Sequence, residues 1–286
     1  MKYYSTNSED MILYNIIFKH IQKGFFVDVG AGDGIINNNT LFLEKELKWD
    51  GICIEANQDL ISILNENRNS KIISNCISNS DNDTVHFLKV EDDPLQSAIV
   101  DNISIELLNK IDNKIANIID IKPSKLKHII ENINTIDYLS IQLQGSELDC
   151  LLSLDFSKCH VNIISVQDQS NYNEIQILLL SNGFQKWHKI GDNQIYFNTS
   201  LLNNNINITD NVFNDKWVFI KGLDIIGNDI GRINTDQIKD LLTKKSDNKN
   251  IIAVNTLGFC KNKLNTLTDS KWFSNNDGIY IRSNYV

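Results

Sequence analysis

Short apolar runs alternate with amphipathic stretches over the first 200 residues of the chain. The run from Gly24 to Gly30 ends in glycine, the run from Gly51 to Glu55 ends in an acid, and both have the length of buried strands. Between them, apolar positions from Leu41 to Leu47 recur at helical spacing. Two strands joined through a helix by short connections predict the building block of a parallel sheet.

The same alternation continues as far as residue 197. The further elements predicted are helices at Glu9 to Ile21, Ile105 to Ile119, Ser124 to Asn132, Glu147 to Leu154 and Glu174 to Leu180, strands at Lys71 to Ile77, Thr84 to Val90, Tyr138 to Leu143 and Val161 to Val166, and a hairpin of Phe184 to Ile190 with Gln194 to Phe197. A closing antiparallel hairpin is compatible with a doubly wound sheet. The predicted fold class is therefore α/β, with a mostly parallel seven-stranded sheet.

The last third of the chain has a different pattern. Residues 201–212 are rich in asparagine and lack periodicity, which is typical of a linker. Short strands at Trp217 to Ile220, Ile251 to Val254 and Gly278 to Ile281 follow, with a helix near Thr235 to Lys244. We therefore expect a domain of residues 1–200, a linker of residues 201–212 and a small α+β domain of residues 213–286.

Charge and hydropathy exclude several classes of partner. The 286 residues carry a net charge of -9, and no basic stripe offsets it, so nucleic-acid binding is not expected. No apolar run approaches the roughly 20 residues of a membrane-spanning helix. A neutral or cationic small molecule fits this acidic field better than a polyanion does.

Cysteine and histidine usage gives no sign of a metal site. The cysteines are odd in number and form no CxxC pair, so we expect neither a zinc site nor a disulfide framework. The histidines are scattered without ligand spacing. The polar first ten residues lack the order of a signal peptide, and together these features predict a cytoplasmic protein.

The most specific motif is the glycine-rich stretch from Val27 to Gly34, directly after the first predicted strand. Its glycines allow a tight turn and a close approach to a ligand. Glu55, at the end of the second strand, is placed to accept hydrogen bonds from ribose hydroxyls. Asp33 and Gly34 follow Gly32 directly, which departs from the dinucleotide pattern GxGxxG. A plain strand-to-helix turn and a solvated strand end remain the alternatives.

Residues 4–197 resemble the FkbM-type methyltransferases, a class I family that uses S-adenosylmethionine. The matching stretches are Tyr4-Ser5 with Glu9-Asp10, Phe26 to Gly34, Asn38-Asn39-Thr40 with Leu43-Glu44, Trp49-Asp50-Gly51 with Ile54-Glu55, and Asp137 to Leu148. The resemblance implies a class I methyltransferase fold and methyl transfer, usually to a hydroxyl oxygen of a sugar or natural product. The cofactor-binding residues that it implies are Asp28, Gly30, Ala31, Gly32, Asn39, Thr40 and Glu55, with Asn75 and Cys76 near the adenine.

The chain departs from the family where catalysis is expected. The family pattern Asp-x-Glu-Gly-x-Glu is here Gln142-Leu143-Gln144-Gly145-Ser146-Glu147, and Gln167 stands where the next strand usually ends in Glu. The catalytic positions are thus Gln142, Gln144, Glu147 and Gln167, and Glu147 and Asp168 are the acids that remain near them. Glutamine keeps the shape of the acid but cannot take a proton from a hydroxyl.

Two interpretations of these replacements stay open. The protein is an O-methyltransferase that acts on a small-molecule or glycan hydroxyl and relies on alignment of the reacting groups. Alternatively, it is a pseudoenzyme that binds cofactor or carbohydrate as a scaffold. In either case no metal site is expected, because an amide is a far weaker ligand than a carboxylate for a hard cation.

Residues 213–283 are similar to a degenerate PAN/apple-like module. The matching stretches are Gly222-Leu223-Asp224 with Gly227 to Ile230, Asn255 to Gly258, and Asp277 to Ile281. The resemblance implies a protein or carbohydrate partner, although the disulfide cysteines of that fold are absent apart from Cys260. Similar modules accompany glycan-modifying enzymes in large DNA viruses, so the expected location is a host cytoplasm if the protein is viral.

Overall fold

The computed structural model describes residues 1–167, 171–202, 212–214, 217–221, 223–225, 229–243, 251, 253–261, 267–269 and 278–282. Asp168 and residues 203–211 of the predicted linker lie outside the described residues. The chain divides into two compact units. The first unit comprises Met1–Thr6, Gln22–Trp187 and Asp192–Asn204, and the second comprises Asn7–Ile21, His188–Gly191 and Asn205–Val286. The boundaries at residues 200 and 213 stay a prediction.

The described helices and strands are numbered in chain order. The helices are α1 Glu9–Ile16, α2 Leu41–Lys45, α3 Gln58–Asn67, α4 Ile105–Ile111, α5 Leu126–Ile129, α6 Glu147–Leu152, α7 Tyr172–Ser181, α8 Thr199–Leu202 and α9 Thr235–Thr243, with single 3₁₀ turns at Phe18–His20, Pro94–Gln96 and Val100–Asn102. The strands are β1 Phe25–Val29, β2 Asp50–Glu55, β3 Lys71–Ser74, β4 Cys76–Ile77, β5 Val85–Val90, β6 Ala98–Ile99, β7 Ala116–Ile121, β8 Pro123–Ser124, β9 Thr135–Ile141, β10 His160–Gln167, β11 Phe184–Ile190, β12 Asn193–Asn198, β13 Val212–Asn214, β14 Trp217–Lys221, β15 Leu223–Ile225, β16 Asp229–Arg232, β17 Ala253–Asn255, β18 Phe259–Lys261, β19 Leu267–Asp269 and β20 Gly278–Arg282.

Within the described residues, a seven-stranded sheet has the order β11-β12-β10-β9-β1-β2-β3. The strands from β10 to β3 run parallel, and β12 is antiparallel to β10. The order reverses at β1, because the chain first builds outward to β3 and later continues from β9 on the other side. The predicted doubly wound, mostly parallel sheet is confirmed, and such sheets place ligands where the order reverses.

One face of this sheet is a continuous apolar layer. Val27, Val29, Ile141 and Val166 alternate with residues of the opposite face and pack in one buried cluster with side chains of α5, α6 and α7. The opposite face of β1 carries Phe26, and Arg68, directly after α3, lies against its ring. Helices therefore cover both faces, as a parallel sheet requires.

Prediction and structure differ most at three elements. The helix expected at Ile105 to Ile119 is wrong in its second half: α4 ends at Ile111, and the β-branched run of Ala116–Ile121 forms β7, paired with β5. The strand expected at Lys71 to Ile77 is interrupted at Asn75. Helix α3 was not predicted, although Asn57 caps it by accepting the N–H of Asp59.

In the second unit, six of the described strands form an antiparallel sheet in the order β13-β14-β20-β17-β18-β16, and β15 pairs separately with β19. Trp217, Val254 and Cys260 pack with the apolar residues of α9 in one buried cluster. The predicted small C-terminal sheet domain is thereby confirmed. Over the described part of the chain, no helix is long and apolar enough to span a bilayer.

Candidate cofactor and acceptor site

Four predicted site residues lie at one level of the sheet. Val29 pairs with both Ile54 and Ile141, and Ile141 pairs with Val166. The residues that follow are Glu55, Gly30, Gln142 and Gln167, so they form one row across the carboxyl edge of the parallel strands. This edge is where open α/β sheets bind their ligands.

The glycine turn brings the ends of β1 and β9 into close contact. Gly30 has φ +82°, and a Cβ built on it would lie 1.9 Å from the carbonyl oxygen of Gln142. Gly32 also has a left-handed φ, of +59°, and its Cβ would meet the side chain of Leu95 at 2.7 Å. Glycine is therefore required at Gly30 by both conformation and space.

Glu55 joins the glycine turn to the residues that follow β2. Its Oε2 accepts the N–H of Gly32 at 2.8 Å, and its Oε1 accepts the N–H of Asn57 at 2.8 Å. The residue is 8% exposed, and burial raises the pKa of its carboxyl against the opposing effect of these backbone N–H groups. Each carboxylate oxygen has a further lone pair, which leaves Glu55 able to accept bonds from a ribose.

Asp28 and Thr40 lie deeper, beneath the turn. Asp28 Oδ2 accepts the Thr40 hydroxyl at 2.7 Å and the Asn38 amide at 2.8 Å. Asn38 Oδ1 in turn accepts the N–H groups of Thr40 and Leu41 at the start of α2. Asn39 is buried beside them, and its Nδ2 has no hydrogen-bond partner among the described residues.

Asn75 and Cys76, which the sequence placed near the adenine, have different surroundings. The N–H of Asn75 donates to the Glu55 carbonyl at 2.9 Å, so Asn75 adjoins the row. Cys76 packs in an apolar cluster with Val85 and Phe87, and burial raises the pKa of its thiol to about 12. Cys76 can therefore offer apolar contact but not a thiolate.

A segment that the sequence reasoning missed lies against the glycine turn. Leu95, in the 3₁₀ turn Pro94–Gln96, is the side chain that a Cβ on Gly32 would meet. Ser97, just after this turn, contacts the start of α3, because its Oγ accepts the amide of the capping residue Asn57 at 3.1 Å. The position of this segment beside the glycine turn depends on the tertiary fold.

Buried polar atoms around the turn provide a test of fit for a nucleoside cofactor. Within the described part of the chain, Asn75 Oδ1, Gln96 Oε1 and Asn39 Nδ2 are buried without a hydrogen-bond partner. Native proteins satisfy almost all such atoms, so these two acceptors and one donor are available to a bound polar molecule. Together with Glu55 and the glycine turn, they fit a nucleoside with an amino acid group.

The loop after β9 is held by Glu147. Its two carboxylate oxygens accept the N–H groups of Leu143 at 2.9 Å and of Gly145 at 3.0 Å. The residue is 2% exposed, and burial raises the pKa of its carboxyl to about 7. Between these contacts Gln144 has φ +55°, which is uncommon for a residue with a side chain. Glu147 therefore fixes the loop that carries Gln144.

Strands β9 and β10 carry buried polar atoms that lack hydrogen-bond partners among the described residues. Gln167 Oε1 is buried without a partner in the described structure, and its backbone pairs with Asn193 of β12. Ser140 and Ser165 lie two residues before Gln142 and Gln167 on the same face, directly opposite each other. Both hydroxyls are buried and lack partners among the residues described. No cluster of three potential metal ligands occurs within the described ranges.

A doubly wound sheet with a glycine turn and an acid at adjoining strand ends defines a protein that binds a nucleoside-containing cofactor. Residues 28–194 match the methyltransferase FkbM domain. This match covers more than half of the chain, so the protein belongs to the FkbM methyltransferase family, and its methyl donor is S-adenosylmethionine. Comparison with curated proteins gives no significant match.

Solved structures similar to the chain are also methyltransferases. A precorrin-6y C5,15-methyltransferase from Geobacter metallireducens shares 8% identity at a TM-score of 0.38, over 68% of this chain and 89% of that one. A TehB-like S-adenosylmethionine-dependent methyltransferase from Corynebacterium glutamicum shares 10% at 0.34, over 67% and 87%. A methyltransferase from Pyrococcus furiosus shares 11% at 0.35, over 69% and 88%. The family assignment depends on the domain match and not on these likenesses.

Proposed function

We propose that this protein transfers a methyl group from S-adenosylmethionine to a hydroxyl oxygen of a sugar or glycan. The observation that carries the proposal is the row at the carboxyl edge, where Glu55 and Gly30 adjoin Gln142 and Gln167. Neutral amides can donate to and accept from sugar hydroxyls, and they bring no charge that would exclude a neutral acceptor.

The cofactor half of the row would hold S-adenosylmethionine through Glu55, the glycine turn and Asn75. When bound, this cofactor supplies an electrophilic methyl group on a sulfonium sulfur. The acceptor oxygen would form the new C–O bond as the methyl–sulfur bond breaks and S-adenosylhomocysteine leaves, and it would lose a proton that Gln142 and Gln167 cannot take. The proton therefore passes to solvent, and the chain contributes mainly alignment of the two reactants.

A second candidate is a pseudoenzyme that binds cofactor and carbohydrate without turnover. The geometry of Glu147 favours it, because both oxygens of this remaining acid accept backbone N–H groups of its own loop. An acid engaged in this way is directed to its own loop and not to a substrate. The two candidates share the cofactor site and differ only in whether methyl transfer occurs.

The experiment that separates them is incubation of the protein with S-adenosylmethionine and a panel of nucleotide sugars and glycans. We expect slow formation of S-adenosylhomocysteine that depends on one class of sugar acceptor and is unchanged by a chelator. Binding of both ligands with no product over hours would favour the pseudoenzyme. Transfer to a protein or to a nucleic acid in place of sugars would contradict the acceptor class.

A further inference from the structure

Arg68 is a buried cation close to the glycine turn, and none of the sequence motifs described above includes it. It is the residue directly after α3, and its side chain has no solvent-exposed surface. Its guanidinium lies 5.4 Å from the centroid of the Phe26 ring on the sheet. A guanidinium presents its donors in a fixed planar fork, so its partners determine its position closely.

The partners of Arg68 belong to the strand end before the glycine turn and to the segment after it. Nε donates to Glu44 Oε2 at 2.9 Å, Nη1 to Asn38 Oδ1 at 3.1 Å, and Nη2 to Thr40 Oγ1 at 2.9 Å. Nη1 also lies 3.6 Å from Asp28 Oδ2. Thr40 also connects Arg68 to Asp28, because its hydroxyl donates to the same Asp28 oxygen at 2.7 Å.

The turn itself packs on the stem of this side chain. A Cβ built on Gly34 would lie 2.7 Å from Arg68 Cγ. The charge of Arg68 is balanced locally by Asp28 and Glu44, and hydrogen bonds from Asn69 and Ser70 and the nearby guanidinium lower the pKa of Glu44 against the effect of burial. Both sides of the glycine turn are thus tied to one cation.

We propose that Arg68 is a positioning residue that sets the shape of the glycine turn. Asp28 and Thr40 act through Arg68 and do not touch the cofactor. This inference rests on the proposed cofactor site. It changes the roles expected for Asp28 and Thr40, since Asp28 Oδ2 and Thr40 Oγ1 are directed to Arg68 and Asn38. Affinity for the cofactor then depends on a residue outside the glycine motif.

The test compares Arg68→Lys and Thr40→Val with the matched variants Arg232→Lys and Thr40→Ser. Lysine keeps the charge but loses the fork, and valine keeps the shape of threonine but loses the hydroxyl. Thr40→Ser retains the hydroxyl, and Arg232 lies in the second unit. S-adenosylhomocysteine affinity is measured by calorimetry, and hydrogen exchange of the Gly32 and Gly34 amides is measured without cofactor.

We expect Arg68→Lys and Thr40→Val to weaken binding by about 10-fold or more, as loss of a hydrogen bond to a charged group would do. The Gly32 and Gly34 amides should exchange faster in both variants, while the Gln142 amide, which bonds to Val29, should not change. Thr40→Ser should bind more tightly than Thr40→Val, and Arg232→Lys should resemble the wild type. If Arg68→Lys does not fold, Thr40→Val gives both measurements.

Unchanged exchange at Gly32 and Gly34 in a folded variant would overturn the proposal, as would faster exchange of all amides alike. Wild-type affinity in both variants would also overturn it. Failure of the wild type to bind S-adenosylhomocysteine would instead contradict the proposed function. The exchange measurement needs no cofactor, so the two failures remain distinguishable.

Discussion

The carboxyl edge of the sheet has two halves, a cofactor half at β1 and β2 and an acceptor half at β9 and β10. The two halves differ in how the hydrogen bonds of their polar groups are satisfied. At β1 and β2, Asp28 and Glu55 are buried and accept hydrogen bonds from named partners, and Arg68, which follows α3, donates to Glu44. At β9 and β10, the neutral side chains of Ser140, Ser165 and Gln167 have buried oxygen atoms without partners in the described structure. The scaffold is the same on both sides, so the difference lies in side-chain chemistry and not in fold.

From this difference we propose that cofactor binding and catalysis are separable in this protein. A charge in a buried site needs partners, and the cofactor half supplies them. Amides tolerate incomplete bonding better than carboxylates do, so the acceptor half can lose its acids while the strands keep their positions. The comparison predicts that changes in the cofactor half affect binding and that changes in the acceptor half affect rate.

The largest effect is expected from restoring acids to the acceptor half. The triple variant Gln142→Asp, Gln144→Glu and Gln167→Glu should raise the rate of methyl transfer by about 10²–10⁴-fold, because a general base contributes that much. The rate is measured as S-adenosylhomocysteine formed with the best acceptor of the panel. Gln185→Glu, which adds a charge at an exposed position, is the matched control and should have no effect.

A wild-type rate of several per second would contradict the comparison, because the amides would then suffice for fast transfer. A loss of wild-type activity on addition of a chelator would contradict it as well. An unchanged rate in a folded triple variant would mean that the acids have no catalytic role here.

The next effect concerns the pH dependence of stability. Burial raises the pKa of Glu147 from 4.5 to about 7, so between these values the folded state holds a proton that the unfolded state has lost. The stability contributed by this group is therefore full below about pH 4.5 and falls as the pH rises to 7, by roughly 3 kcal/mol in total.

Urea unfolding of the wild type and of Glu147→Gln at pH 5 and pH 7.5 measures this effect. The difference in unfolding free energy between the two proteins should change with pH in that direction, because glutamine does not titrate. A constant difference would show that Glu147 keeps an ordinary pKa, and with it a carboxylate that ionises as freely as an exposed one.

A smaller effect, on binding, is expected at Glu55. Glu55→Ala should weaken S-adenosylmethionine binding by about 10-fold or more through loss of charge-assisted bonds. Asp50→Ala removes an exposed acid from the other end of β2 and should leave affinity unchanged. Equal affinities in the two variants would place the ribose away from Glu55.

The smallest effect is expected at the unpaired serines. Ser165→Ala removes a buried hydroxyl without a described partner and should stabilise the protein by about 1 kcal/mol or leave stability unchanged. Ser153, also buried, donates to the Cys150 carbonyl at 2.7 Å and accepts the N–H of Leu126, so Ser153→Ala should destabilise. A loss of stability in Ser165→Ala would indicate a bridging water.

The sequence predicted the sheet well because its strands are short apolar runs that end in glycine or in polar residues. It also placed Gly30, Glu55, Gln142 and Gln167 at strand ends, and pairing brings these residues into one row. Helix α3 was missed because its apolar positions are few, although its Asn57 cap was visible.

Other parts of the site could not be predicted from local pattern. The position of Leu95 over Gly32 and the burial of Arg68 arise from contacts between segments distant in sequence. The role of Glu147 was hidden for another reason, since a family motif marks it as a catalytic position while the geometry directs it to its own loop. The pattern of a motif does not reveal which atoms its side chains face.

The central claim is that the cofactor half is intact while the catalytic half is impaired, and one calorimetric titration tests it most directly. The wild-type protein is titrated with S-adenosylmethionine, and the same samples are assayed for S-adenosylhomocysteine formed with the sugar panel. We predict saturable binding well below millimolar cofactor, with slow turnover or none. No detectable binding at millimolar cofactor, or turnover at several per second, would contradict the account.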